Sequence, residues 1–371
     1  MNEILIVSGT RPEIIKLAPL YHALHDTPWA RARWLHTGQH DEMARQIFAS
    51  FDVQPDLTLV REGASLSEFA LGCRRQLDVV LDDDRCTAVM VQGDTESAFQ
   101  GALAAFYRQI PVAHVEAGLR THNLQRPFPE EGLRQMISRM ARWHFAPTAR
   151  ARAALVAEGI PPDSIWVTGN TVVDAQLWAC THKGIRRRTE GRGHLLVTVH
   201  RRENWGDGID EICRAIADVA GAHPDLDVLF PVHLNPLVSG PVRAILGQRP
   251  NVRLTAPLDY LAMQQALADA WLVLTDSGGL QEEAPTFRVP LLVLREETER
   301  EEAIRTGCAA LAGTTHASIV RQVERLWQDP GAYRQMQQSG NPFGDGGATQ
   351  RILSAMERHL TGAFANAMAA A

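Results

Sequence analysis

The sequence predicts an α/β protein of two Rossmann-like, doubly wound domains facing a cleft. Three observations carry this expectation. Short apolar runs alternate with amphipathic helical stretches along most of the chain. Glycine, proline or polar residues interrupt the apolar runs where a strand hands over to a helix. A basic, polar stretch, His182–Arg192, divides the alternation in two and reads as a solvated hinge rather than a binding patch. The expected domains are residues 1–175 and 176–347, followed by a last helix over 348–371.

The 371 residues are enough for two domains, and 45% apolar residues are enough for two cores. With 37 basic against 43 acidic residues the net charge is −6, which argues against nucleic acid as a partner. Five cysteines, none in a CxxC pair, point to free thiols in a reducing compartment. The chain opens directly into EILIVS, with no leader and no apolar run long enough for a membrane span, so a soluble cytoplasmic protein is expected.

In the first half, Ile4–Ser8 reads as a strand and Gly9-Thr10-Arg11-Pro12-Glu13 as the turn after it, with Pro12 suited to a helix start. Ile14, Leu17, Ala18, Tyr21 and Leu24 give the helix its apolar face. A single glycine in that turn is no GxGxxG, so a dinucleotide site is not indicated. Arg11 and Lys16 at the helix start suit an anion. Arg33–His36 is a weak strand. A helix to about Phe51 follows, then a long helix over 66–82. Ala88–Val91 is a buried strand ending at Asp94, and a crossover helix joins it to the strand Val112–Val115, which ends at Glu116. If the two strands are neighbours, both carboxylates face one crevice. Asp94 can equally cap the following helix. Glu130 and Glu131 stand at the next helix start, where acids also serve as simple first-turn residues. Short strands at 144–147 and 165–168 complete the half.

The second half repeats the grammar. Leu195–Val199 ends at His200, Asp227–Val232 at His233, and Trp271–Thr275 at Asp276-Ser277-Gly278-Gly279. Glycines between a strand and a helix let backbone N–H groups approach a diphosphate, and Glu283 is one turn along. Strands at 252–255 and 291–294 and helices at 209–222, 260–268, 318–328 and 348–360 fill the rest. No metal-ligand spacing, P-loop or nucleophile elbow occurs.

These residues, taken in order, resemble a known family. The runs are Gly9-Thr10-Arg11-Pro12-Glu13 with Lys16, Gln92-Gly93-Asp94-Thr95, His114 to Arg120, Pro129-Glu130-Glu131, Thr168-Gly169-Asn170-Thr171, His200-Arg201-Arg202-Glu203, Pro231 to Pro236, Thr275 to Gly279 with Gln281-Glu282-Glu283, and Asn341-Pro342 with Gly344-Asp345-Gly346. Together they resemble the bacterial non-hydrolysing UDP-N-acetylglucosamine 2-epimerases from about Ile4 to Leu360. The resemblance implies a glycosyltransferase-B-like fold whose last helix returns to the first domain. It implies interconversion of UDP-GlcNAc and UDP-ManNAc, with no metal and no cofactor, through loss of UDP to 2-acetamidoglucal and its re-addition.

By the same resemblance Asp94, Glu116 and Glu130 form the acid/base set. Arg11, Lys16 and His200 hold phosphate, with His200 aiding departure of UDP, and Ser277, Gly278, Gly279 and Glu283 hold phosphate and ribose. A homodimer is implied, as is a second UDP-GlcNAc acting as activator near Gln39-His40. The chain departs from the pattern at Val199, where glycine is common, at Glu297–Glu302, which lacks a proline and gains acids, and at Asp41 and Glu42. A related UDP-2-acetamido sugar, or sugar transfer on the same fold, are the alternatives.

Overall fold

In a computed structural model the backbone of residues 1–82, 85–188 and 190–369 is described, with side chains except those of 41–43 and 363–369. The chain forms two compact units, Met1–Trp178 with Phe343–Ala371, and Ala179–Pro342.

Unit 1 begins β1 (Asn2–Ser8), α1 (Arg11–His25), β2 (Ala30–His36), α2 (Asp41–Ser50), β3 (Leu57–Thr58), α3 (Leu66–Leu81), β4 (Cys86–Gln92), α4 (Glu96–Tyr107) and β5 (Val112–Val115). It continues α5 (Glu130–Met140), β6 (Trp143–Ala146), α6 (Ala149–Ala157), β7 (Ile165–Val167) and α7 (Thr171–Lys183). The strands lie in the order β3-β2-β1-β4-β5-β6-β7, parallel at every pairing. The order reverses between β1 and β4, the switch point at which ligands bind in open parallel sheets. Leu5, Val7, Val89 and Val91 pack below it against Phe69, Leu77, Ala98 and Ala102 of α3 and α4.

Unit 2 holds β8 (His194–Thr198), α8 (Asp207–Ala222), β9 (Val228–Pro231), α9 (Pro236–Leu246), β10 (Val252–Thr255), α10 (Tyr260–Asp269) and β11 (Ala270–Thr275). Next come α11 (Gly278–Glu283), β12 (Leu291–Val293), α12 (Glu301–Thr306), β13 (Ala309–Leu311), α13 (His316–Gln328) and α14 (Pro330–Gln338). Its sheet is parallel in the order β10-β9-β8-β11-β12-β13, so the reversal falls between β8 and β11. Leu195, Val197, Leu272 and Leu274 pack against Ile212, Ile216 and Val219 of α8.

The final helix, α15 (Ala348–Ala369), packs on α1 in unit 1. Asp174 of α7 accepts from the N–H groups of Ala348 and Thr349 (3.3 and 2.8 Å), which caps its first turn. The boundary between the units falls inside α7, upstream of the basic stretch, whose Thr189 lies outside the described residues.

Elements that the sequence reading shortened or missed share a cause. β2 begins at Ala30, and its first three residues pair with Asn2, Glu3 and Ile4 although Arg31 and Arg33 mask its alternation. β3, α9, α12, β13 and α14 are short, or carry Gly and Pro as in PLVSGPVRAIL, and packing decides them. Among the described residues no helix is long and apolar enough to cross a membrane.

Gly118 has φ +91°, and a Cβ there would stand 2.3 Å from the Ala151 carbonyl oxygen. Gly118→Ala is therefore expected to cost more than ~2 kcal/mol, read as a lower urea midpoint at unchanged m-value.

Candidate active site

In unit 1 the candidate residues follow β1, β4 and β5, neighbours in the sheet. The turn after β1 is organised by Glu13, whose side chain is fully buried. Its Oε2 accepts from the N–H groups of Gly9 (3.0 Å) and Thr10 (2.7 Å), and its Oε1 from the Thr95 hydroxyl (2.7 Å). Thr95 in turn caps α4, accepting from the Ala98 N–H. One carboxylate thus ties the turn carrying Arg11 to the turn carrying Asp94. Burial pushes the Glu13 carboxyl up to about 7, against the pull of these hydrogen bonds. Arg11 is the first residue of α1, and Lys16 lies one turn further on.

Glu116 ends β5 with φ +63°, a left-handed conformation uncommon for a residue with a side chain. Its carboxylate forms an ion pair with Lys16, which is itself nearly buried, and accepts from Asn170 Nδ2 at 2.8 Å. The cap of α4 is Thr95 and not Asp94; Asp94 instead pairs with Arg134 of α5. Arg134 also stands 3.4 Å from Glu131.

Glu131 is no surface cap: it is fully buried. Its carboxylate accepts from the N–H groups of Thr121 (3.0 Å) and His122 (3.1 Å) and from Gln135 Nε2 (2.8 Å). Burial alone raises its pKa, but these bonds with the Arg134 charge carry it below the usual range. Glu130, half-exposed, is the first residue of α5. His114 is structural: burial drives its pKa to about 3, so it is neutral, and its Nε2 donates to the Gly93 carbonyl (2.8 Å).

In unit 2 the candidates follow β8 and β11 on either side of the switch point. Asp276 is fully buried and accepts from the N–H groups of His200 (3.0 Å) and Arg201 (2.9 Å) and from Asn204 Nδ2 (3.0 Å). Its Oδ1 also lies 3.0 Å from His200 Nδ1. Burial opposes ionisation of Asp276, but the His200 side chain and the two backbone donors outweigh it and hold the pKa below its ordinary value. The carboxylate fixes which ring nitrogen of His200 faces inward, leaving Nε2 for a ligand.

Arg201 and Arg300 flank the glycine turn: a side chain at Gly278 would meet their guanidiniums at 3.6 and 3.4 Å. Arg300 is held by buried Glu282 at 2.9 Å. Ser277 N–H donates to Thr275 Oγ1 (2.9 Å), and Glu283 accepts from Gln264 Nε2 (2.5 Å). The acid-rich loop after β12 is pinned by Arg295, which bonds Glu203 (2.6 Å) and Glu299 (2.9 Å). Burial works to raise Glu299, yet Arg295 and Arg201 bring it down to about 2.

The expected residues thus fall into two groups, one per unit, and each carries partners to which the sequence reading gives no role: Glu13, Asn170, Asp276 and Arg300. Only Glu13 had a local signal, an acid three residues after Thr10 at a helix start. The side chains of Asp41 and Glu42 lie outside the described residues, and among those described no group of three or more His, Cys, Asp or Glu is placed to hold a metal ion.

The family model for UDP-N-acetylglucosamine 2-epimerase matches residues 22–357. A UDP-N-acetylglucosamine 2-epimerase of Yersinia pestis is 44% identical over 373 residues, covering 96% of this chain and 99% of the relative. The crystal structure of UDP-GlcNAc 2-epimerase from Neisseria meningitidis bound to UDP-GlcNAc superposes with a TM-score of 0.87 at 38% identity, covering 96% of this chain and 100% of that one. MurG of Acinetobacter baumannii, at 14% identity and a TM-score of 0.60, shares the glycosyltransferase-B-like fold alone.

Because its folded pKa of about 7 lies above the unfolded value of 4.5, Glu13 adds stability that is fully present below about pH 4.5 and is lost as pH rises through about 7. The loss is ~3 kcal/mol at 1.36 kcal/mol per pKa unit. Melting temperatures at pH 5 and pH 8 are expected to fall further for the wild type than for Glu13→Gln; parallel profiles would remove Glu13 from the titration.

Proposed function

The chain belongs to the UDP-N-acetylglucosamine 2-epimerase family, and from that premise we propose that this isomerase interconverts UDP-GlcNAc and UDP-ManNAc by elimination and re-addition of UDP. The observation that carries the reading is the placement of two carboxylates, Asp94 and Glu116, after the neighbouring strands β4 and β5, each paired with a cation. The bound UDP-GlcNAc of the Neisseria meningitidis structure supports the substrate.

The chemistry asks for such groups. The C2 proton lies beside an acetamido-bearing carbon, not a carbonyl, so no enolate stabilises its removal. A base takes that proton, the C1–O bond breaks, and its electron pair leaves with the β-phosphate of UDP, giving 2-acetamidoglucal. UDP then adds back to C1 while an acid delivers a proton to the opposite face of C2. Acid/base groups are needed on both faces, and cations or N–H donors at the departing diphosphate.

Asp94, Glu116 and Glu130 supply the first need. Lys16 pairs with Glu116 and Arg134 with Asp94, so each acid has a cation beside it. His200, oriented by Asp276, with Arg11 and Lys16, neutralises the leaving phosphate. Ser277, Gly278, Gly279 and Glu283 hold the nucleotide, with Arg201 and Arg300 beside the turn. The same reading includes a homodimer and a second UDP-GlcNAc near Gln39-His40, where Gln39 Oε1 accepts from the Ser97 hydroxyl (2.6 Å).

Incubation with UDP-GlcNAc in deuterated water, without an acceptor, tests the proposal: deuterium must enter at C2. A glycosyltransferase of this fold leaves C2 untouched. Glu116→Gln is expected to abolish exchange while UDP affinity, measured by calorimetry, stays within tenfold, about 1.4 kcal/mol. Full exchange in that variant would sink its role as an acid/base group.

A further inference from the structure

The basic stretch after α7 reads as solvent-facing in the sequence, and the reaction above makes no use of it. In unit 2 its Arg187, Arg188 and Arg192 converge with Arg288 around a groove of about 900 Å³, walled by Trp271, Trp327 and Tyr333. Arg192 precedes β8, Ala270 opens β11 and Arg288 stands just before β12. The groove therefore lies at the amino ends of these strands. His200 and Asp276–Gly279 follow the carboxyl ends of β8 and β11. The six residues of β11 put roughly 20 Å between the two edges at about 3.3 Å per residue. It is a separate place on the unit, not an extension of the nucleotide turn.

Positive charge predominates there. Among the described residues no salt bridge joins any of these arginines to a carboxylate, and Asp269 is the one acid lining the groove. Burial, with the charge of Arg288, holds the Arg187 guanidinium below its ordinary pKa, which Tyr333 only partly offsets. Arg192 lies over the Trp327 ring, 3.5 Å from its centroid, and Arg188 donates to the Glu190 carbonyl (2.6 Å). Tyr333 is fixed by its hydroxyl bond to the Trp271 carbonyl (2.7 Å) and its ring stacks on Trp271. Part of this cationic wall is thus pre-ordered, and like charges face one another across a cavity of ligand size.

Guanidinium forks match phosphate oxygens two at a time, and several of them around one groove fit a chain of phosphates better than a monoanion. The geometry points to a second anion site in unit 2, in which Arg187, Arg188, Arg192 and Arg288 hold an oligophosphate, either bare or as the tail of a nucleotide. The site stands independently of the epimerase reading.

Calorimetry on the full chain tests it, with saturating UDP present so that the nucleotide turn is already filled. Titrated tripolyphosphate is expected to bind, and more weakly as salt is raised. Arg187→Gln/Arg288→Gln should lower its affinity at least tenfold, with UDP affinity and melting temperature unchanged. Should that pair lower the melting temperature, the exposed Arg188→Glu alone should give the same loss of tripolyphosphate binding. ATP binding tighter than tripolyphosphate identifies a nucleotide ligand, and equal affinity a bare phosphate chain; both support the site. No binding at millimolar tripolyphosphate, binding abolished by UDP, or affinity unchanged in the variants overturns it, as does an acidic peptide that binds where tripolyphosphate does not.

Discussion

Strand β1 hydrogen-bonds to β2 along one side and to β4 along the other, and β8 does the same with β9 and β11. This pairing constrains everything else in each unit. The turns leaving the two central strands diverge to opposite faces of the sheet and open a crevice at their carboxyl ends. In unit 1 the crevice is bounded by the turns bearing Arg11 and Asp94, in unit 2 by those bearing His200 and Ser277. Each is locked by one buried carboxylate that reaches across the switch point, Glu13 to Thr95 and Asp276 to the backbone of His200.

Those two acids show how environment sorts chemically similar groups. Glu13 receives only neutral donors and is buried, so its carboxyl titrates near neutrality. Asp276 is as deeply buried but receives an imidazole as well as backbone N–H groups, and its pKa falls. Glu131 reaches the same outcome through Thr121, His122 and Arg134. Desolvation is shared; the count and charge of the donors decide the direction. Asp94 and Glu116, which the proposed reaction uses, are held differently, each by an ion pair, to Arg134 and to Lys16.

Local strain has a purpose in the same region. Glu116 takes a left-handed backbone directly after β5, and Gly118, also at positive φ, leaves no room for a side chain beside the Ala151 carbonyl. Ala117 between them is anchored by its N–H bond to the Phe145 carbonyl (3.0 Å). A residue with a side chain tolerates that conformation only where the surroundings overdetermine it, and here the result is a carboxylate turned toward Lys16 and Asn170 rather than continuing along the strand.

Much of this was legible in the linear order of residues. Apolar runs such as Ala88–Val91 and Trp271–Thr275 announce buried parallel strands because both faces are covered, and the residues after them, Asp94, Glu116, His200 and Ser277, stand out as polar groups where strands end. Strand order, and with it which ends become neighbours, was not legible, because pairing joins residues far apart in sequence. The same holds for partners: nothing local links Lys16 to Glu116, Arg134 to Asp94, or Asp276 to His200. The amino-acid sequence by itself determined the alternation of strands and helices, the two repeated halves and the chemistry available at each strand end, since these depend on side-chain period and turn propensity. Only the tertiary structure decided which carboxylates are buried, which are paired, and that the arginines of the basic stretch meet Arg288 around a groove, since each depends on distances and desolvation that exist once the sheets have formed.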